Sequence, residues 1–182
     1  MGANRNPERW SYMVERSPWT RTQDLIDALV HRGAIIAAWG YTETLLTDIL
    51  IRSSYMDEYC GIRPQYPFLF DKRLSYARQV LASDGPFSKY RAAGSKVLDH
   101  FEKATRLRDQ MAHSHMHVLE GTVTFTDFRP ISGELIRKFT ERHTLSALRE
   151  MARKATQLSR VFQKAYYTLD QENWLPRPRT TD

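Results

Sequence analysis

The stretch "RDQMAHSHMH", Arg108 to His117, holds three of the chain's six histidines, at positions 113, 115 and 117. Three chemistries suit these residue types. Histidines at alternate positions line one face of a strand, and such pairs serve zinc or iron sites when further ligands arrive from elsewhere. Here no Cys or His follows until His143, and no carboxylate motif completes a set, so neither a metal nor another cofactor is assigned. The second chemistry is proton transfer by His113 near the guanidinium of Arg108, a group able to stabilise charge on a phosphate. The third is the ordinary one: His115 and His117 are the polar face of a surface strand.

Two carboxylates bear on these residues. Asp109 precedes His113 by four residues, so on a helix the two share a face and the carboxylate can orient the imidazole. Glu43 lies on an apolar stripe between Trp39 and Leu46, as Arg108 lies on one between Ala104 and Met111. A charge on a core face needs a partner. The simplest arrangement sets Glu43 against Arg108 across two helices, which also fixes the direction of the guanidinium. Arg108 and His113 are five residues apart, ~140° around a regular helix. They converge only if the helix ends near Ala112.

The elements that must position these residues follow from periodicity. Residues 1–20, with Pro7 and Pro18, read as an irregular arm. From Asp24 to about Ser53, Leu25, Leu29, Ile36, Trp39, Leu46 and Leu50 recur at helical spacing. Gly33 inside this run suggests close packing. Tyr55 to Phe70, rich in proline and aromatics, reads as a structured loop whose rings either pack on the helices or stack nucleobases. Asp71 is placed to cap a second helix reaching about Ala82. A third helix runs from about Ser88 to Ala112 with the stripe Tyr90, Val97, Phe101, Ala104 and Met111. "HVLEGTVTFTDF" then has strand chemistry with Gly121 as its turn, and Glu134 to Thr140 reads as a further strand. Thr144 is a good N-cap for a last helix through Leu169. The expected fold is mainly α: a four-helix up-down bundle spanning 21–170, with a β-hairpin or three-stranded insert between the third and fourth long helices. Residues 171–182 read as a flexible tail.

Composition fits one domain with a sizeable core: 182 residues, 41% hydrophobic. The longest apolar run, Ala34 to Trp39, is too short to span a bilayer, and the N-terminus lacks the apolar core of a signal peptide. No membrane is therefore expected. The lone Cys60 rules out an internal disulfide framework, and the reduced cytoplasm is the expected setting. A net charge of +6 tilts toward anionic partners, although the 27 Lys and Arg are spread along the chain.

"LRDQMAH" resembles the signature of the HEPN superfamily, an Arg, a polar residue and, after further residues, a His near the end of a bundle's third helix. "AIIAAWGYTETLLTDIL", "FLFDKRLSYARQVL" and "HTLSALREM" are similar to flanking segments of small bacterial members, so the likeness covers roughly 24–169. Two positions depart from the common form, Asp109 standing for Asn and Ser114 for Gly. The resemblance implies a metal-independent endoribonuclease whose homodimer lines a shared cleft with two copies of the motif. Arg108, His113 and Asp109 would be catalytic and Glu43 supporting. RNA would be the substrate, cut by attack of its own 2′-hydroxyl. An antitoxin or another defence-system protein would be a partner, in a toxin–antitoxin or phage-defence role. Other members are inactive, and a dimeric binding or regulatory module is the alternative.

Overall fold

The computed structural model describes residues 22–62, 65–131, 134–172 and 175–176. The arm expected over residues 1–20 lies outside them. The described chain is mainly helical, with one three-stranded sheet. The elements run α1 (Thr22–Ser53), α2 (Phe70–Ala82), α3 (Arg91–His113), β1 (His115–Leu119), β2 (Thr122–Ile131), β3 (Glu134–Thr144) and α4 (Leu145–Gln171). A single 3-10 turn, Ser88–Tyr90, precedes α3, where the sequence suggested a helix from Ser88 onward.

α1 packs most extensively along α4, and α2 packs along α3. Trp39 is at the centre, with its ring edge-on to Phe70 and Phe101, and Phe101 in turn meets Phe162 of α4. The buried side of α1 is Ala28, Ile35, Trp39, Leu46 and Leu50. Leu25, Leu29 and Ile36, expected on that side, are exposed together with Ile26 and Val30. The first turns of α1 are apolar all round, so spacing alone could not choose the buried face. By length and composition α1 would suffice to cross a membrane, although part of its surface is taken up by α4 and α3. Gly33 is exposed, with nothing near the position of a Cβ, and marks no close packing. Gly94 on α3 does: a Cβ there would meet Leu81 Cδ1 at 2.7 Å.

Leu69 occupies the N-cap of α2 without a side-chain bond, and Asp71, the expected cap, sits in the first turn, where it complements the helix dipole. Thr144 caps α4 as expected, its Oγ1 accepting from the Ala147 N–H at 3.1 Å. The sheet is an antiparallel meander in the order β1-β2-β3. Its first turn is two residues, Glu120 (φ 48°) and Gly121 (φ 72°), the positive-φ pair that a tight hairpin requires. β3 runs on to Thr144, paired with Thr122, four residues beyond its expected end. The loop after α1 is tied down by Tyr59, which is buried, stacks on Phe87 and accepts the Phe87 N–H at 2.7 Å.

Arg52, near the end of α1, is buried and gathers several partners. It pairs with Asp170 at 2.6 Å and Asp48 at 3.4 Å. It also donates to the carbonyls of Pro176 at 2.7 Å and Leu175 at 2.9 Å. Leu175 is itself buried, so this part of the segment expected to be loose is held against α1.

Candidate functional site

The last two turns of α3 carry the residues singled out above. Arg108 and Glu43 meet: Arg108 Nε donates to Glu43 Oε1 at 2.9 Å, and Nη2 lies 2.8 Å from the same oxygen. Nη1 donates to Asp109 Oδ1 at 2.6 Å. The guanidinium carbon sits 5.9 Å from the centre of the Phe70 ring. Burial works against the charged guanidinium, but the two carboxylates outweigh it and push its pKa up. Helix spacing explains the meeting. Glu43 follows Trp39 by one turn, so it faces α2 and α3 at the edge of the core, where Arg108 side-chain exposure is 29%.

His113 does not join them. α3 continues through His113, so the angular offset of five helical residues stands and the imidazole is exposed on a different side of the helix. Asp109, expected to orient His113, turns to its neighbour Arg108, and no hydrogen bond between Asp109 and His113 is present among the described residues. Ser114 ends the helix in extended conformation, its N–H bonded to Gln110 O. His115 and His117 lie on the exposed face of β1, opposite Thr126 and Thr124. This is the polar strand face of the ordinary reading. Among the described residues no group of three or more His, Cys, Asp or Glu comes together in a way that suits a metal ion.

Sequence reasoning missed four residues here. Arg32 of α1 reaches over the end of α3, donating to Met111 O at 2.7 Å and Ser114 O at 2.9 Å. A helix C-terminus has carbonyls without intrahelical partners, and an arginine satisfies two of them while opposing the negative end of the dipole. On the sheet side of α3, Gln110 donates to Glu141 Oε2 at 2.9 Å, and Arg106 is ion-paired to Glu141. Burial alone would raise the pKa of Glu141, yet the bonds from Gln110 and Arg106 and the Arg106 charge hold it below the usual carboxylate range. The four-residue spacing of Arg106 and Gln110 was a readable sign of a shared face. Nothing in the sequence tied that face to Glu141.

One guanidinium is therefore held by two carboxylates on one side of α3, and an exposed histidine ends the same helix. Glu43 takes Nε and Nη2, while Nη1 is held by the more exposed Asp109, which an incoming phosphate oxygen can displace. Comparison with family models, with curated proteins and with solved structures gives no match.

Proposed function

We propose that the chain is a metal-independent endoribonuclease of HEPN type, its helices forming an up-down bundle and two copies sharing one catalytic cleft. The observation that carries this reading is the Arg108 guanidinium, directed by Glu43, on the same helix end as the exposed His113. In the reaction the 2′-hydroxyl oxygen of RNA attacks the adjacent phosphorus as it loses its proton, and the bond from phosphorus to the 5′-oxygen breaks. The products are a 2′,3′-cyclic phosphate and a 5′-hydroxyl. One His113 takes the proton from the 2′-oxygen and the partner's His113 gives one to the 5′-oxygen, so the protons balance. Arg108, with Asp109 displaced, faces the charge that builds on the phosphoryl oxygens.

The separation of Arg108 and His113 around α3 is what makes a second copy necessary. The exposed apolar face of α1 supplies a surface for it. Ile26, Leu29, Gly33, Ile36 and Gly40 recur at spacings of three and four and lead to Glu43, so two copies paired along this face bring both Glu43–Arg108 pairs to the seam. A cytoplasmic protein acting in toxin–antitoxin or phage defence, with an antitoxin or related partner, is the setting we propose.

A second reading, an inactive dimeric binding or regulatory module, is favoured by one fact: Arg108 is already neutralised by two carboxylates. RNA cleavage in the presence of EDTA separates the two. We expect the wild type to cut and His113→Ala and Arg108→Ala each to lose at least a hundredfold in rate. Absence of cleavage by folded, dimeric wild type, or cleavage untouched by both substitutions, defeats the ribonuclease reading.

A further inference from the structure

Across α3 from Arg108, the helix and the sheet enclose a polar pocket of about 230 Å³. Arg106, Gln110 and Ser114 line it from α3, and Phe125, Asp127, Phe139 and Glu141 from β2 and β3. The register explains the grouping: Phe125 pairs with Glu141 and Asp127 with Phe139, so all four face α3. Ser114 is 4% exposed, and its hydroxyl has no hydrogen-bond partner. Most buried polar groups have one, so a buried hydroxyl that opens on a cavity with its bonding capacity unused points to a ligand.

The lining says which kind. The volume falls below the ~300–1,000 Å³ typical of drug-sized ligands, but suits one flat heterocycle. Two phenylalanine rings offer faces for stacking, and that of Phe139 is 39% exposed, towards the mouth. The charges are mixed: Arg106 on α3, Asp127 on β2, Glu141 on β3, with His143 Nε2 3.7 Å from Glu141. A phosphate would meet two carboxylates here, so an anion is disfavoured. A carboxylate has about four acceptor positions, and Glu141 uses two of them on Arg106 and Gln110. Among the bases, guanine carries adjacent donors at N1 and N2 that suit a carboxylate, and O6 and N7 acceptors that suit an arginine. Arg106, Gln110 and His113, spaced by four and three, also lie on one side of α3. A base seated here therefore sits on the same side of the helix as the proposed proton-transfer group.

We propose that this pocket accepts a guanine base of single-stranded RNA. Glu141 receives the N1 and N2 hydrogens, Arg106 and the Ser114 hydroxyl face the acceptor edge, and Phe139 stacks on the ring. The RNA context rests on the ribonuclease reading above; the base preference does not. The test is calorimetric titration of the full chain with guanosine, adenosine, cytidine and uridine. Guanosine should bind at least tenfold tighter than the others, inosine, which lacks the N2 amine, should fall between, and Glu141→Gln should lose the preference. Phe139→Ala, at a partly exposed ring, should weaken guanosine about tenfold while leaving the fold intact by circular dichroism. Equal affinity for all four nucleosides, or no binding by folded wild type, overturns the proposal. Guanosine binding without any RNA cleavage leaves the pocket standing and removes the ribonuclease. Cleavage without guanosine binding or guanine preference does the reverse.

Discussion

The hydroxyl of Tyr166 donates to Asp48 at 2.7 Å, beside the buried Arg52. Burial, then the bond and charge of Asp48, push the tyrosine pKa up to about 12. The neutral phenol is thus the form that the fold favours. Its contribution to stability is complete below the ordinary tyrosine value of ~10 and disappears as pH rises toward 12. The urea midpoint of the wild type should therefore fall more between pH 9 and pH 11.5 than that of Tyr166→Phe, and equal falls would contradict this account. Arg52 and Tyr166 carried no sequence signal, because their partners lie more than a hundred residues apart in the chain. Glu43 and Arg108 were legible for the opposite reason. Each breaks an apolar stripe on its own helix, and a charge on a core face implies a partner. Asp109 was misjudged: four-residue spacing permits a contact with His113, but the adjacent guanidinium is the stronger attraction for a carboxylate.

Among the elements, the end of α3 is held from outside by Arg32. Arg32→Ala should cost about 1–2 kcal/mol, from two hydrogen bonds and the lost charge at the dipole's negative end. Amide exchange should speed up around Met111 to Met116 while the core of α4 keeps its protection; uniform acceleration, or none, would show that the cap does not act locally. Because His113 is the last residue of α3, the same substitution should slow any cleavage that depends on it. The order and type of the elements were readable from periodicity, from Thr144 as a cap and from Gly121 as a turn. The face of α1 was not, since side-chain spacing cannot select a side when Leu25, Ile26, Leu29 and Val30 all qualify. The Arg32 cap was unreadable too, for it joins positions 79 and 82 residues apart.

For the molecule as a whole, the proposed dimer places the apolar face of α1 against its counterpart. The double substitution Leu29→Lys, Val30→Lys changes two exposed positions and should leave the fold intact. By light scattering, the wild type should have twice the chain mass and the variant the mass of one chain. A monomeric wild type that floats with lipid vesicles would instead assign this face to a membrane surface. In that case the shared cleft goes as well, since Arg108 and His113 lie on different sides of α3.

The packing of α1 on α4 also sets an order of events in time. The element that covers α1 most extensively is the last one made, and about ninety residues of synthesis separate the two, roughly 5–20 s at ordinary translation rates. Throughout that interval the most apolar helix of the chain is complete and uncovered on every side. The nascent protein thus passes through a state with far more exposed apolar surface than its folded form, and its yield in a cell is decided in those seconds.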